Sequence, residues 1–314
     1  MFKRLFSWFV SLSSFLGLRK PSRGFNGTGH MTVANLAYKK LKPETKKRVN
    51  ELLKLNPYYG RWQRAIPNDV SPEERDRQTF MFASVWADDI KRDKNYVSDR
   101  IDGGGGQDLA STPSDYSDMR MHKYWHYVNY PFSNDGTELP PVVTPNLETQ
   151  LNELRQVIAS DVSEEQKSYA LTWLLHLVGD AHQPLHSSAR VSQAEKGGDM
   201  GGNKVFVIVN GRNSKLHFLW DDLLGVEKRP ARVQLLANAL PPEDKELSAK
   251  LTAKDWLMES FQACREVVYT APIGEGSGPF TITDEYLERA RTFIKKRIAL
   301  AGARLAKLLN EELR

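Results

Sequence analysis

Cysteine is almost absent from this sequence. Cys264 is the only cysteine among 314 residues. A single cysteine excludes an intramolecular disulfide, and it also excludes a zinc site built from several thiolates. A membrane-spanning run is missing as well, because the apolar stretch at residues 5–18 has 14 residues, whereas a transmembrane helix needs about 20. The chain must therefore be stabilised by its hydrophobic core, for which its seven tryptophans and 40% hydrophobic residues are ample.

Residues 1–24 have the order of a secretory signal peptide: a basic start, the apolar stretch and a polar end. Ser22 and Gly24 are the small residues that cleavage before Phe25 requires. Three basic residues after the apolar stretch are unusual in a cleavage region, so an uncleaved anchor is the alternative. We expect a leader at 1–24, one domain at 25–314, and a secreted or periplasmic protein. Export without disulfides suits a bacterial protein of that kind.

The apparent excess of basic residues comes from the leader. The chain has 44 Lys and Arg against 39 Asp and Glu, but residues 1–24 hold five basic residues and no acidic residue. The remainder therefore has 39 residues of each sign. A neutral chain has no general basic surface for nucleic acid. Any nucleic-acid binding would have to come from metal ions and local pockets.

Histidine and aspartate occur four residues apart in two apolar segments. The pairs are His176 with Asp180 and His217 with Asp221, and this spacing puts both side chains on one face of a helix. One such pair is more often an ion pair or a hydrogen-bonded core residue. In an apolar segment, however, a charge is normally paired or bound to a metal. Imidazole and carboxylate groups together are typical zinc ligands.

Further residues of the same types extend this pattern beyond one metal ion. The additional candidate ligands are His30, Asp88, His126 and His186. His122 and His182 lack the spacing of the others, and we interpret them as structural residues or as supports for the ligands. The pattern as a whole predicts an enzyme with several zinc ions.

Hydrophobic periodicity predicts an all-α protein, a single multi-helix domain with one small β-hairpin. The predicted helices are 31–41, 43–55, 77–93, 146–159, 163–186, 216–224, 243–270 and 283–309. The proline- and glycine-containing segment 56–77 is expected to be a surface connection, and 101–118 a flexible loop. The β-branched segment 204–209 precedes Asn210-Gly211, a hairpin signal. The candidate ligands fall on separate helices or their flanks, as in helical bundles that bind metals.

The motifs resemble those of the zinc-dependent single-strand nucleases of fungi and plants, the mung-bean nuclease type. The fold of that family is shared with bacterial zinc phospholipase C. The resemblance runs from Phe25 to about Leu224, and the C-terminal helices fit more loosely. The motifs, in the family's order, are Gly29-His30, Trp86-Ala87-Asp88, His126-Tyr127-Val128-Asn129, the block His176–His186, Gly201-Gly202-Asn203-Lys204, and Leu216-His217 through Trp220-Asp221.

The resemblance implies three zinc ions per chain. One would be bound by Asp88, His126, His176 and Asp180. A second, bridged to the first by Asp180, would be bound by His30 and by the main-chain amino and carbonyl groups of Phe25. The third would be bound by His186, His217 and Asp221. Asp88 and Asp180 are expected to be catalytic as well as ligating. The family usually has Trp where this chain has Phe25, and its main-chain atoms serve equally well if cleavage exposes them.

The resemblance also implies a substrate site. Gly202 and Asn203 would form a base pocket, because glycine permits close approach and an amide can hydrogen-bond a base edge; a hairpin-entry turn is the alternative interpretation. Asn129 stands where fungal members have an Asp close to the substrate. The implied substrates are single-stranded DNA and RNA and nucleotides, cleaved by a monomer to 5′-nucleotides, with 3′-nucleotidase activity.

Two other functions fit parts of the pattern. A zinc phospholipase C uses the same metal cage, but it lacks the Gly-Gly-Asn segment and ends its last ligand pair with Glu, where this chain has Asp221. A non-catalytic periplasmic zinc-binding protein would need closed coordination spheres. Eight side chains and one terminus shared by three metal ions would leave positions for water.

Overall fold

The computed structural model describes residues 26–98 and 115–313, so the predicted leader, Phe25 and most of the 101–118 loop lie outside the described residues. The α-helices are α1 (Gly27–Lys40), α2 (Pro43–Leu53), α3 (Tyr59–Ala65), α4 (Pro72–Ala83), α5 (Trp86–Asp89), α6 (Leu147–Ala159), α7 (Glu164–Asp180), α8 (Leu216–Asp221), α9 (Pro230–Asn238), α10 (Lys245–Ala249), α11 (Ala253–Ala263) and α12 (Asp284–Glu312). The strands are β1 (Pro131–Ser133), β2 (Ala189–Val191), β3 (Phe206–Val209), β4 (Arg212–Lys215) and β5 (Phe280–Thr281). Short 3₁₀ turns span Ile90–Arg92, Lys123–His126 and Pro184–His186, and a π turn spans Cys264–Val268.

Helix α7 forms the centre of the molecule. It is buried continuously from Lys167 to Asp180, and a helix that is buried on every side must be surrounded by other elements. Helices α1, α2, α5, α6 and α12 all pack against it. Helix α1 is also buried over most of its length and packs against α4, α9 and α12. Within 26–98 and 115–313, no helix is both long and apolar enough to cross a membrane.

The predicted hairpin is present, and the mostly α-helical fold class is confirmed. Strands β3 and β4 pair antiparallel, and the turn residues Asn210 and Gly211 have φ of 51° and 72°, as a type I′ turn requires. The sequence predicted only this hairpin, but the structure contains two further strand pairs. Strand β5 pairs parallel with β3, and β1 pairs parallel with β2. Strands of two or three residues are too short to carry an alternating pattern that a sequence would reveal.

The prediction of a surface connection at 56–77 was wrong. This segment contains α3 and the first residues of α4. Its prolines indicated a break, but Pro72 is the first residue of α4, where proline needs no hydrogen-bond partner. Ser71 caps the helix by accepting a hydrogen bond from the Glu74 amide at 3.2 Å. The predicted helix 77–93 is likewise divided, because α4 ends at Ala83 and Asp88 lies on the separate short helix α5.

The helix predicted at 163–186 begins as expected but ends earlier. Ser163 and Gln166 form the predicted capping box. The helix ends at Asp180, since Pro184 has no N–H to donate to the Asp180 carbonyl group. Residues 181–186 instead form a turn that leads into a 3₁₀ turn. Because of this break, Asp180 and His186 lie on different elements: Asp180 ends α7, and His186 ends the 3₁₀ turn.

The C-terminal helices also differ from their predicted bounds. The segment predicted as one helix at 243–270 is divided into α10, α11 and the π turn, with Thr252 capping α11. Helix α9 was not predicted. Helix α12 is close to its predicted range of 283–309. From Arg297 to Leu309 almost every residue of α12 is buried, so this half of the helix packs into the core.

Candidate metal centre

Eight histidine and aspartate side chains converge in the interior in three groups that could each hold a metal ion. The groups are His30, His176 and Asp180; Asp88, His126 and His176; and His186, His217 and Asp221, with one ligand atom per residue and all such atoms of a group within 4.8 Å of one another. All eight side chains are buried. His176 belongs to both of the first two groups, so these two groups form one continuous site.

Six separate elements bring these residues together. Helix α7 presents His176 and Asp180 from one face, as their spacing predicts. Two of the other three elements of the joined groups are short: Asp88 is on α5, and His126 ends a 3₁₀ turn. His30 comes from the first turn of α1. The third group takes His217 and Asp221 from α8 and His186 from the turn after α7.

Asp180 is the central carboxylate of the site. Its Oδ2 lies 2.9 Å from His126 Nδ1 and 3.3 Å from His176 Nε2. Its Oδ1 lies 3.3 Å from His30 Nε2 and 3.6 Å from His186 Nδ1. One carboxylate is thus in contact with members of all three groups, which is the arrangement that a bridging ligand requires.

The third group is built around Asp221. Its Oδ2 lies 3.4 Å from His217 Nε2, and its Oδ1 lies 3.8 Å from His186 Nε2. Gln183, which sequence reasoning did not select, donates a hydrogen bond to Asp221 Oδ1 at 2.8 Å. This contact fixes the orientation of the carboxylate and directs Oδ2 towards His217.

Backbone carbonyl groups hold three of the imidazoles in one orientation. The Nδ1 atom of His176 is 2.8 Å from the Ser84 carbonyl oxygen. The Nδ1 atom of His186 is 2.6 Å from the His126 carbonyl oxygen, and that of His217 is 2.7 Å from the Gly201 carbonyl oxygen. A carbonyl group only accepts, so each Nδ1 carries the proton and each Nε2 lone pair faces the site. Metal-binding histidines usually have such a partner.

Several atoms that face the site have no hydrogen-bond partner. Among the described residues these buried atoms include His126 Nε2, Asp180 Oδ1, His186 Nε2 and Asp221 Oδ2. A buried polar atom without a partner typically costs about 1–3 kcal/mol. Four such atoms in one cluster of imidazoles and carboxylates fit divalent cations, which would use these lone pairs as ligands.

Electrostatics favours neutral imidazoles at one end of the site and a charged carboxylate at its centre. Burial lowers the pKa of His30 to about 4, with a further contribution from His176. Burial and the nearby Lys91 lower the pKa of His126 to about 3. The pKa of Asp180 is well below its usual range, since the surrounding imidazoles outweigh burial. Neutral imidazole and ionised carboxylate are the forms that bind metal ions.

His186 and His176 behave differently in the metal-free site. Burial lowers the pKa of His186, but the nearby carboxylates of Asp180 and Asp221 outweigh it and raise this pKa to about 9. The pKa of His176 is raised as well, since Asp180 and Asp88 outweigh burial. These two imidazoles would carry protons that a metal ion must displace.

Two supporting residues lie directly beside the ligands. The Nζ atom of Lys91 is 2.8 Å from Asp88 Oδ1. Gly179 leaves space for His30, because a Cβ atom at this position would lie 2.6 Å from His30 Nδ1. The sequence indicated these two roles only through proximity to a ligand. Lys91 follows Asp88 by three residues, and Gly179 directly precedes Asp180.

Of the three predicted substrate residues, Gly202 lies beside the third group. Gly202 is in the left-handed region with φ of 74°, and a Cβ atom there would be 3.4 Å from the His217 amide nitrogen. Asn203 is partly buried, and its side-chain amide donates to the Met200 carbonyl oxygen at 2.9 Å. Asn129 is exposed, three residues after His126. The structure therefore brings Gly202 to the site.

Asp199 connects this glycine turn to the metal centre, a role the sequence did not reveal. It is buried, and it accepts hydrogen bonds from the Gly202 amide at 3.2 Å, from the Arg190 amide at 3.0 Å and from the Tyr269 hydroxyl group. The turn it holds contains Gly201, whose carbonyl group orients His217. The predicted base-pocket segment and the imidazole of His217 thus share one support.

The two remaining histidines are buried outside the three groups. His122 stacks on Trp125 with ring centroids 3.8 Å apart, and its Nε2 lies 2.7 Å from Asp118 Oδ2. His182 bonds the Val178 carbonyl oxygen through Nδ1 at 2.7 Å and contacts Arg304 through Nε2 at 2.9 Å. Both have packing and hydrogen-bond roles, as their spacing suggested.

Similar proteins point to one family. The family model described as S1/P1 Nuclease matches residues 25–314. Endonuclease 5 of Arabidopsis thaliana is 28% identical over 257 residues, covering 71% of this chain and 83% of the relative. Endonuclease 3 of the same plant is 26% identical over 324 aligned residues, covering 96% and 94%. Nuclease P1 of Penicillium citrinum is 37% identical over 70 residues, covering 22% and 23%.

Proposed function

This chain belongs to the S1/P1 nuclease family, and we infer that it is a three-zinc phosphodiesterase. Family membership agrees with the motif resemblance and makes the protein a hydrolase that acts on nucleic acids. We propose more specifically that it cleaves single-stranded DNA and RNA to 5′-nucleotides and removes 3′-phosphates. The observation that carries this proposal is the set of three buried His/Asp groups joined by Asp180.

The assignment of ligands combines the three observed groups with the ligand sets that the family resemblance implies. Asp88, His126, His176 and Asp180 would hold one zinc ion, His30 and Asp180 a second, and His186, His217 and Asp221 the third. When bound, zinc supplies Lewis-acid activation of a water nucleophile and charge stabilisation for phosphate oxygens.

The protein's own residues orient and support this centre. The carbonyl groups of Ser84, His126 and Gly201 keep the histidine lone pairs directed inward. Lys91 restrains Asp88, and Gln183 restrains Asp221. Because the ligands are held before substrate arrives, little reorganisation is needed during the reaction.

The preference for single strands follows from the proposed base pocket at Gly202 and Asn203. Gly202 stands beside the third group in a turn that packs closely against Leu185 and His217. An amide reads the hydrogen-bonding edge of a base, and this edge is accessible only when the base is unpaired. Asn129 lies on the exposed side of the segment that carries His126, and we assign it to the substrate side of the site.

We also propose that the second zinc ion uses the main chain of Phe25 after removal of residues 1–24. Phe25 lies outside the described residues, but the next residue is held firmly. Asn26 is buried, its backbone amide donates to the Asp221 carbonyl oxygen at 3.3 Å, and its side chain donates to Asp222 Oδ1 at 2.7 Å. Only a neutral α-amino group, with a reference pKa of about 7.7–8.0, can bind zinc. The uncleaved chain should therefore hold one zinc ion fewer.

Two neighbouring aspartates provide a direct test. Asp88 and Asp89 are consecutive on α5, but only Asp88 belongs to a ligand group among the described residues. Asp88→Asn should lower zinc content and abolish release of 5′-mononucleotides from single-stranded DNA, whereas Asp89→Asn should retain both. Zinc is measured by elemental analysis and the products by chromatography. Equal behaviour of the two variants would refute the ligand assignment.

The same assay distinguishes the alternative functions. Hydrolysis of phosphatidylcholine without nucleotide release would identify a phospholipase C. Three bound zinc ions with neither activity would identify a zinc-binding protein without catalysis.

A further inference from the structure

A buried ionic cluster lies next to the turn that follows α7, on elements that supply none of the proposed side-chain ligands except through that turn. We call it the arginine cluster, and it comprises His182, Glu259, Ser260, Arg297 and Arg304. Arg304 is fully buried and binds both carboxylate oxygens of Glu259, at 2.8 and 2.7 Å. Arg297 donates to the same carboxylate at 2.8 Å. A guanidinium group that donates to both oxygens of one carboxylate is held in a fixed orientation.

The arginine cluster holds the turn that follows α7. Arg304 Nη1 lies 2.9 Å from the ring nitrogen Nε2 of His182. Arg297 Nε donates to the His182 carbonyl oxygen at 3.3 Å. Ser260, itself bonded by Arg297 at 2.8 Å, donates to the Ala181 carbonyl oxygen at 2.7 Å. Two consecutive carbonyl groups at the end of a helix, which need partners, therefore receive them from α11 and α12.

Hydrogen bonding fixes the tautomer of His182. An arginine side chain only donates hydrogen bonds, so Nε2 of His182 is the acceptor. The proton is on Nδ1, which donates to the Val178 carbonyl oxygen at 2.7 Å. The imidazole thus links the last turn of α7 to α12. A side chain that is merely packed in the core would not need both contacts.

The held turn joins two ligands of different groups. Asp180 ends α7 and contacts the joined first and second groups, whereas His186 belongs to the third. Only the turn at 181–185 separates them along the chain. The position of this turn therefore sets where His186 stands relative to Asp180, and their facing atoms are 3.6 Å apart.

Resting on the proposed function, we infer that Arg304 and His182 are positioning residues that set the spacing of the third zinc ion from the other two. They touch neither substrate nor metal and act through the turn at 181–185. The C-terminal helix α12 supplies none of the eight proposed side-chain ligands, yet in this view it is part of the catalytic framework.

Two substitutions at position 182 test this inference. His182→Leu removes the acceptor and the donor at similar volume, whereas His182→Gln can retain both. Competition with a chromophoric chelator measures the zinc affinities of the folded proteins. His182→Leu should weaken one zinc ion by about 10–100-fold, the usual effect of losing a supporting contact, and His182→Gln should restore affinity to within a few-fold of the wild type.

A double variant identifies which zinc ion is affected. His217→Ala removes a ligand of the third group only, so His182→Leu added to it should release no further zinc. Gly302→Ala serves as the control for general destabilisation. It lies on α12 near Arg304, and its new Cβ would meet Leu36 at 2.6 Å without touching the arginine cluster. This control should lower the unfolding temperature and leave all zinc affinities unchanged.

If His182→Leu does not fold, Arg304→Lys gives the same readout, since lysine keeps the charge but loses the rigid fork. Unchanged zinc affinities in folded His182→Leu or Arg304→Lys, with three zinc ions and nuclease activity in the wild type, would overturn the positioning role and leave the proposed function intact. Fewer than three zinc ions in the processed wild type would overturn the proposed function and this inference together.

Discussion

Replacing Gly179 with alanine should separate metal binding from folding. The new Cβ would lie 2.6 Å from His30 Nδ1 and 2.9 Å from its Cε1. An ordinary contact starts near 3.4 Å, so the imidazole must move by about 0.8 Å. On its other side the ring stacks on His176, with centroids 3.7 Å apart, which limits the directions available to it.

The expected magnitudes differ for stability and for zinc. Alanine gains about 1 kcal/mol over glycine inside a helix, and overpacking costs about 1–3 kcal/mol. Gly179→Ala should therefore lower the free energy of unfolding by about 0–2 kcal/mol. Metal–ligand distances are fixed to within about 0.2 Å, so a displacement several times larger should weaken zinc at His30 by about 100-fold or more.

The assay pairs zinc titration with thermal unfolding, and Gly302→Ala is the matched control. Both glycines are helical, and both new Cβ atoms would meet a neighbour at 2.6 Å, but the neighbour of Gly302 is Leu36. The control should lose stability without losing zinc. Wild-type zinc affinity and nuclease rate in Gly179→Ala would refute the view that this glycine makes room for a ligand.

Four further predictions concern the protonation of His186, the Asp180 bridge and the base pocket. Zinc binding near neutral pH should release protons, because the pKa of His186 is raised to about 9 in the metal-free site; calorimetry in buffers of different ionisation enthalpy measures this, and no release would contradict it. The stability that His186 contributes to the metal-free protein should be complete below about pH 6.5 and lost as pH rises through about 9; denaturant unfolding across that range tests the sign. Asp180→Asn should lose zinc and lower the rate by about 100-fold or more, whereas full zinc content and activity would exclude a bridge. Asn203→Ala should weaken nucleotide binding about tenfold with zinc content unchanged, and an unaltered KM for single-stranded DNA would remove Asn203 from the pocket.

The candidate ligands were recognisable from sequence because their chemistry is local. His176 and Asp180 are one helical turn apart in an apolar segment, and so the pattern predicted their common face. His217 and Asp221 repeat it. Sequence spacing could not predict how the ligands group, because His30, Asp88 and His126 reach α7 only through the packing of α1, α5 and a 3₁₀ turn. The resemblance, and not the spacing, predicted which of these residues share a metal ion.

The supports of the site could not be predicted in the same way. Arg304 stands 122 positions from His182 in the chain, and nothing in the periodicity of α12 distinguishes it from a surface arginine. Asp199 resembles an ordinary turn residue until its buried contacts are known. The predicted helix boundaries were wrong near prolines, because proline can either start a helix or end one. Pro72 starts α4, whereas Pro184 prevents α7 from continuing.

The packing of α1 against α12 has a consequence for biosynthesis. The first described helix carries His30, and the last helix covers it, with Gly302 of α12 facing Leu36 of α1. The ribosome makes α1 long before α12, and contacts so distant in sequence form slowly. The nascent chain therefore cannot complete the packing around α1, which carries His30, until α12 has been made. Assembly of the candidate metal centre is thus expected to be a late step in the folding of the chain.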